Sequence, residues 1–300
     1  AAIIEMGMNH FGEIDRLAAV VRPQIGVISN IGVAHIEHLG SREGILRAKC
    51  EIFAHMAQDA AAILNADDDM LQTMEGLLAQ KIRWFGVENR RDFYAEDIQP
   101  NGLEGTRFRL HAPMGEIAVN LPIPGRHMVL NALSAAAVGA ELGLTLEQIK
   151  AGIESFTPTK NRMHVMHCEN GFTILNDVYN ANPVSMKASL DILACASGRK
   201  IAVLGFMGEL GDYAEGFHRQ VGAYAAEKGI DLLFCIGQHS DCMAEGARER
   251  GLQAHAFADQ ENFWEKGLPL LQAGDTILVK ASRSVGLERT VEKIAGSERK

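Results

Sequence analysis

Short apolar runs alternate with longer amphipathic runs along most of the chain, which indicates an α/β fold with largely parallel sheets. In the first half, this pattern predicts strands at residues 2–5, 26–30 and 60–65 and helices at residues 13–21, 42–57 and 68–79. In the second half, the predicted strands are 164–168, 172–176, 200–204, 232–236, 254–257 and 276–280. The helices that alternate with them are 183–195, 215–228, 241–250, 260–271 and 285–294.

The pattern changes between residues 82 and 119, where short runs alternate with a period of two. The turn signals Asn101-Gly102 and Pro113 separate these runs. We therefore expect an antiparallel appendage at the edge of the first sheet. Its predicted strands are 93–98, 106–111 and 116–120.

Two helices are predicted after the appendage, at residues 127–142 and 146–155. Thr145 and Gln148 stand three residues apart at the start of the second helix. This spacing is typical of a capping box, in which each side chain binds the backbone N–H of the other residue.

A polar, proline-containing segment at residues 157–160 interrupts both periodicities and predicts a linker. We therefore expect two domains, 1–157 and 158–300, the second a compact Rossmann-like unit. A length of 300 residues fits this division, because a single hydrophobic core rarely grows so large. The first predicted strand has no preceding turn or cap and the first residue is not Met, so we expect the chain to begin inside a domain.

The charge balance limits the class of partner. Lys and Arg number 29 against 38 for Asp and Glu, which gives a formal net charge of -9. Such a surface repels polyphosphates and anionic lipids, so nucleic acid is not expected as the main partner. An anionic substrate would need a local group of cations, helix N-termini or metal ions.

The cysteines indicate a reducing compartment. The five cysteines are widely spaced and form no C-x-x-C motif, so neither a zinc site nor a disulfide framework is predicted. We expect reduced thiols in a cytoplasmic protein. No apolar run approaches the roughly 20 residues of a membrane span, so membrane insertion is not expected.

Three groups in the first half could take part in chemistry. Glu5 ends the first predicted strand, where a carboxylate could bind a metal ion or simply meet solvent. His35 and His38 follow the second strand, and one of them is expected to be inert. Lys49 lies next to an alanine and a cysteine in a predicted helix, a setting that could lower the pKa of its amine. The alternative for Lys49 is an amine that reaches solvent.

The run at residues 176–183 carries an excess of polar groups where a strand meets a helix. Asn182 has the position of an N-cap and Pro183 that of the first helical residue. Capping does not explain why Asp177, Tyr179 and Asn180 are polar as well, so a site is predicted here.

The sequence does not match two common nucleotide-binding motifs. Residues 205–211 follow a strand with the glycine spacing G-x-x-G-x-x-G, whereas the dinucleotide fingerprint is G-x-G-x-x-G. NAD binding is thus a weak alternative. The chain contains no G-x-x-x-x-G-K-[ST] phosphate loop.

These runs together resemble the Mur ligase family over nearly the whole chain. The residues that carry the resemblance are 5–14, 30–40, 48–53, 125–127 with Asn131 and Ala132, 177 with 179–183, 207–211 and 280–283. The chain departs from the family pattern at four positions. It has Met128 where Asn is common, Asn161 and Ala281 where Gly is common, and Phe206 where Asp is common.

The resemblance implies an ATP-dependent amide ligase of peptidoglycan synthesis. Such an enzyme activates the carboxylate of a UDP-N-acetylmuramoyl tripeptide as an acyl phosphate, which the amine of D-alanyl-D-alanine then attacks. The resemblance also implies a central domain, here truncated at its N-terminus, followed by the Rossmann-like C-terminal domain. Family members carry a UDP-binding domain and a phosphate loop before the first strand, so this chain alone is expected to be inactive.

The resemblance further implies roles for individual residues. Glu5 would bind the Mg²⁺ that bridges the ATP phosphates, and His35 would hold a second Mg²⁺ together with a carbamate on Lys49. Arg162 would contact ATP and neutralise charge on the transferred phosphoryl group.

Other residues would bind the organic parts of the substrates, with the cleft between the domains closing over ATP. The expected contacts are Asn131 with adenine, Asp177 with ribose, Tyr179, Asn180 and Asn182 with the dipeptide, and Asn9 and His10 with the muramoyl peptide. A monomer is expected.

Two alternatives stay open at this point. The chain could belong to a related ligase, such as a folate polyglutamating enzyme or a cyanophycin synthetase, or it could be a non-catalytic nucleotide-binding module. The third residue of the peptide stem does not follow from the sequence.

Overall fold

The computed structural model describes residues 1–296 and divides the chain into two compact units. The first unit comprises Ala1–Asn101 and Gly105–Phe156, and the second comprises Gly102–Glu104 and Thr157–Lys300. Each unit contains a six-stranded, mostly parallel sheet. The predicted α/β class is therefore confirmed.

The sheet of the first unit has the strand order β1-β2-β3-β4-β5-β6. Strands β1 to β4 are parallel, whereas β4, β5 and β6 pair antiparallel, as predicted for the appendage. Strand β3 was not predicted from the sequence. The strands are β1 (Ile25–Ile28), β2 (Ala61–Asn65), β3 (Lys81–Gly86), β4 (Phe93–Pro100), β5 (Thr106–Ala112) and β6 (Gly115–Leu121).

The helices of the first unit lie before, between and after these strands. They are α1 (Glu13–Val21), α2 (Ile36–Leu39), α3 (Arg42–Cys50, continued by a 3₁₀ turn at Glu51–His55), α4 (Asp69–Gln72), α5 (Arg126–Glu141) and α6 (Leu146–Glu154). The capping box of α6 is confirmed, because the Thr145 hydroxyl accepts from the Gln148 N–H and the Gln148 side chain accepts from the Thr145 N–H. The helix predicted at 68–79 is shorter in the structure and ends at Gln72. Turns follow it, and one of their residues, Gly76, has a left-handed φ of 78°.

The strand predicted at residues 2–5 is wrong. This segment has no strand pairing within the described chain, and the side chains of Ile3 and Ile4 are 90% and 55% exposed. An apolar run forms a strand only where a neighbouring strand bonds its backbone N–H and C=O groups. Composition alone does not reveal whether that neighbour exists.

The sheet of the second unit has the order β11-β10-β9-β12-β8-β7, parallel except for the β7–β8 pair. Its strands are β7 (His164–His167), β8 (Thr173–Asn176), β9 (Lys200–Gly205), β10 (Leu232–Ile236), β11 (Ala254–Phe257) and β12 (Thr276–Lys280). The helices are α7 (Pro183–Ala194), α8 (Ala214–Glu227), α9 (Ser240–Arg248), α10 (Gln260–Lys266) and α11 (Glu288–Ala295). Parallel strands collect their following loops at one sheet edge, which is where α/β proteins bind ligands.

Among residues 1–296, the helices are all too short or too polar to cross a lipid bilayer.

Candidate functional site

Lys49 lies at the carboxyl edge of the first sheet. Its Nζ donates to the backbone carbonyl of Asn30, in the loop that follows β1, at 2.7 Å. Burial lowers the pKa of this amine, and the nearby carboxylate of Asp68 opposes the shift. The setting therefore favours the neutral amine more than solvent would.

The loop after β1 is held by residues that follow β2. The Ile31 N–H donates to Oδ2 of Asp68 at 2.6 Å, while Oδ1 of Asp68 caps α4. The Asn65 amide donates to the carbonyl of Ser29 at 2.9 Å. The Asn30 carbonyl that receives Lys49 lies between these two anchors, so its position is well defined. Neither Asp68 nor Asn65 was identified from the sequence.

His35 stands at the N-cap position of α2 in a left-handed backbone conformation, with φ of 65°. It belongs to the same post-β1 loop as Asn30. The loop therefore contains both His35 and the carbonyl that receives Lys49.

Two predicted substrate residues precede α1 and lie near this loop. The ring of His10 stacks on that of His38, with centroids 5.0 Å apart. Oε2 of Glu13 accepts from the backbone N–H of Asn9 at 2.7 Å and of His10 at 3.2 Å. The side chains of Asn9 and His10 are exposed, so they stay available to a ligand. Glu5, which was expected at a strand end, is an exposed carboxylate on the unpaired first segment.

Asn131 lines an apolar cavity of about 300 Å³ between α5 and α6. The amide of Asn131 donates to the sulfur of Met128 at 3.5 Å. A mostly apolar cavity with few polar groups is typical of a small-molecule site. Its lining is Leu121, Met128, Asn131, Ala132, Ala135, Gly139, Leu144, Gln148, Ile149, Gly152, Ile153 and Phe156.

A buried ion pair occupies the carboxyl edge of the second sheet. Nζ of Lys280, at the end of β12, lies 2.5 Å from Oδ2 of Asp177, directly after β8. Lys280 also donates to the Asn180 carbonyl at 3.0 Å, and its side chain is 3% exposed. Burial lowers the pKa of the Lys280 amine, and the attraction of Asp177 opposes that shift.

The carboxylate of Asp177 accepts two further hydrogen bonds. The Ser189 hydroxyl donates to Oδ2 at 2.7 Å, and the backbone N–H of Met163 donates to Oδ1 at 3.1 Å. The sequence identified Asp177 but not Lys280 or Ser189 as a site residue. A lysine at a strand end resembles an ordinary solvated terminus, and its partner is 103 residues away along the chain.

Two guanidinium groups lie against the ring of Tyr179. The Cζ atom of Arg162 is 3.9 Å from the centre of the ring, and that of Arg283 is 5.5 Å away. The tyrosine is 39% exposed and both arginines are exposed. Two cations held by one aromatic ring form a surface suited to an anion.

Left-handed backbone on both sides of Arg162 orients this residue. Asn161 has φ of 68° and Met163 has φ of 47°. The Asn161 carbonyl accepts from the Tyr179 N–H at 3.1 Å. Asparagine tolerates this conformation better than most residues, which explains how Asn161 can stand where the family commonly has glycine.

Asn180 and Asn182 differ in what their side chains do. The Asn182 side chain caps α7 by accepting from the Ser185 N–H at 2.8 Å, as predicted from the sequence. Asn180 is exposed, and its Oδ1 accepts from the Ala181 N–H at 2.8 Å. Asn180 is thus the better placed of the two for contact with a ligand.

Ser282 joins three loops at this edge. Its hydroxyl accepts from the Gly208 N–H at 2.9 Å and donates to the Ala181 carbonyl at 3.3 Å, and its own N–H donates to the Phe206 carbonyl at 2.9 Å. The loops that follow β8, β9 and β12 are therefore coupled. Ser282 belongs to a motif that carries the family resemblance, but the sequence assigned it no role.

Two family domains match the chain. Residues 1–139 match the Mur ligase middle domain, and residues 161–283 match the Mur ligase, glutamate ligase domain. The UDP-N-acetylmuramoyl-tripeptide--D-alanyl-D-alanine ligase of Escherichia coli is 37% identical over 98% of this chain, and its Bacillus subtilis counterpart is 36% identical over 99%. The chain spans 65% and 64% of the lengths of these two relatives.

Solved structures of Mur ligases are also similar to this chain. MurF from Acinetobacter baumannii superposes with a TM-score of 0.90 at 34% identity, covering 97% of this chain and 63% of that one. MurF ligase from Thermotoga maritima in complex with ADP has a TM-score of 0.85 at 26% identity, covering 97% of this chain and 66% of that one.

Proposed function

The chain belongs to the Mur ligase family, and on this premise we propose that it takes part in joining D-alanyl-D-alanine to a UDP-N-acetylmuramoyl tripeptide. The observation that supports this most is the buried Asp177–Lys280 pair next to Tyr179 and Asn180, at the ligand-binding edge of the second sheet. In this proposal, ATP converts the tripeptide carboxylate into an acyl phosphate, and the dipeptide amine displaces phosphate to form the amide.

Asn131 and Asp177 are proposed to contact the nucleotide. The ADP bound to the Thermotoga maritima relative supports an ATP-dependent reaction. Asn131 would bind the adenine edge at the mouth of the apolar cavity, whose walls would cover the purine faces. Asp177 would accept a hydrogen bond from a ribose hydroxyl on Oδ1. A carboxylate has about four acceptor positions. Among the described residues, only Met163, Ser189 and Lys280 donate to this one, so an acceptor position is left for the ribose.

The partly buried setting of Lys49 suits the carbamate that the family resemblance implies. The Lys49 amine would add carbon dioxide and release a proton, which requires the neutral form that burial favours. The exposed carboxylate of Glu5 would bind one Mg²⁺, and the resulting carbamate would hold a second Mg²⁺ together with His35. When bound, the magnesium ions neutralise charge on the phosphate groups.

The guanidinium group that stacks on Tyr179 would bind anionic groups of the substrates. Arg162, oriented by Tyr179 and by its left-handed neighbours, would neutralise the transferred phosphoryl group. Tyr179 and Asn180 would contact the dipeptide, and Asn182 would act mainly through the helix that it caps. In the first unit, the exposed side chains of residues 9 and 10 would contact the muramoyl peptide.

We also propose a monomer that works in the cytoplasm. All five cysteines are free, which suits a reducing compartment.

The test is a chimera in which this chain replaces the matching segment of the Escherichia coli relative. We expect phosphate release from ATP that requires both the UDP-linked tripeptide and D-alanyl-D-alanine. The matched control is the same chimera carrying Lys49→Ala. Release that requires glutamate would favour the folate-type alternative, and release that requires aspartate or arginine would favour the cyanophycin type. No release with any acceptor would favour a non-catalytic module.

A further inference from the structure

Three side chains with metal-binding atoms converge in the second unit, where α8 packs against α9. Glu215 lies in the first turn of α8, His239 stands at the N-cap position of α9, and Cys242 follows about one turn further on. The ligand atoms of these three residues all lie within 4.8 Å of one another. The wide spacing of the cysteines predicted no zinc site, because the sequence does not reveal that α8 and α9 pack together.

Aromatic neighbours pack against the ring of His239. His239 has a left-handed backbone, with φ of 59°, and its ring centroid lies 5.1 Å from that of His218 and 5.9 Å from that of Phe206. His218 is buried and engaged at both nitrogens, since Nε2 accepts from the Met207 N–H and Nδ1 donates to the Ala214 carbonyl.

The donor set selects the class of cation. A thiolate, an imidazole and a carboxylate are the ligands typical of Zn²⁺, whereas a soft thiolate is a poor ligand for the hard cation Mg²⁺. Ligands at tetrahedral Zn²⁺ stand roughly 3.6 Å apart, given metal–ligand distances of about 2.0–2.3 Å. Glu215 is exposed and can rotate to shorten its distances to the other two ligands.

We propose that Glu215, His239 and Cys242 bind one zinc-class transition-metal ion, with the fourth position open to water. The ion would tie the start of α8 to the start of α9, and so would anchor the loop between β9 and α8. That loop also carries Gly208, whose N–H donates to Ser282. The proposal does not depend on the ligase activity.

The test is cobalt binding by the purified, untagged chain after treatment with a chelator. We expect one equivalent of Co²⁺ to bind, with a near-ultraviolet charge-transfer band from the thiolate, and Zn²⁺ but not Mg²⁺ to remove that band. Cys242→Ser should abolish the band. Glu215→Gln, an exposed substitution, should weaken binding at least about tenfold.

The matched control is Cys195→Ser, which removes an exposed thiol elsewhere and should leave the band unchanged. Circular dichroism of each metal-free variant checks that it is folded. Absence of a charge-transfer band with the unaltered chain, or a band that persists in Cys242→Ser, would overturn the proposal. Unchanged affinity in Glu215→Gln would remove the carboxylate from the ligand set and so would also contradict it.

Discussion

Lys280 and Asp177 form an ion pair of 2.5 Å that joins the ends of the adjacent strands β12 and β8. Their side chains are 3% and 15% exposed, so each charge depends on the other for its compensation. The pair adjoins the exposed Tyr179 and Asn180, and it connects the stability of the second unit to its candidate site.

Lys280→Met should lower the free energy of unfolding of the second unit by about 3–5 kcal/mol, because it leaves a largely buried carboxylate without its cation. Chemical denaturation measures this change. Adding Asp177→Asn should recover much of the loss, since the orphaned charge is removed. Lys266→Met, on an exposed lysine, is the control and should have little effect. Equal effects of the two lysine substitutions would contradict the stabilising role of the pair.

Gly205→Ala should destabilise the second unit by about 1–3 kcal/mol through overpacking. A Cβ at this position would lie 2.7 Å from the Cβ of Ala281. Combining it with Ala281→Gly should restore most of the stability, which thermal unfolding can measure. Gly216→Ala is the control, because its Cβ would meet open space in α8. A double variant no more stable than Gly205→Ala alone would refute the contact.

His218 should make the second unit less stable in mild acid. Burial, with a smaller contribution from His239, lowers the pKa of its imidazole from 6.5 to about 4, so the unfolded chain takes up a proton below pH 6.5 while the folded chain does not. The free energy of unfolding should therefore fall by up to about 1.4 kcal/mol per pH unit as the pH drops from 6.5 to 4. Denaturation at about pH 7, 6 and 5 measures the slope over this window.

His218→Gln should flatten this slope, and the glutamine oxygen can still accept from the Met207 N–H. His167→Gln, on an exposed histidine, should leave the slope intact. A slope that survives in His218→Gln would assign the pH dependence to other groups.

Lys49→Ala should nearly abolish phosphate release by the chimera, because the carbamate would be lost. A short carboxylic acid can occupy the vacated space and supply the missing oxygen ligands, so partial rescue by such an acid is expected. Steady-state assays with and without the acid measure the rescue. Full activity of Lys49→Ala without additives would contradict the carbamate.

The second sheet could be predicted well because each of its central strands contains an uninterrupted apolar run. Strands β10 and β12 are buried at every position and have the predicted bounds. The prediction failed at residues 2–5, where the same kind of run lacks a pairing partner. It also missed β3, because Lys81 and Arg83 interrupt the apolar pattern and only the last three positions of that strand are buried.

The residues of the candidate site were also predicted only in part. Asp177 and Asn182 were recognised because they are polar at the junction of a strand and a helix, a local feature. The partnership of Lys280 with Asp177 depends on contact between residues far apart in the sequence, as does the cluster of the three metal-binding side chains. Such contacts follow from the sheet order and the helix packing, which a local pattern does not contain.

A competition between acceptors is the decisive experiment for the proposed activity. The chimera is incubated with ATP, the UDP-linked tripeptide and equal concentrations of D-alanyl-D-alanine, glutamate, aspartate and arginine, and the products are identified by mass spectrometry. We expect one product, in which the tripeptide has gained D-alanyl-D-alanine. A product that contains one of the single amino acids instead, or no product at all, would contradict the proposed ligase.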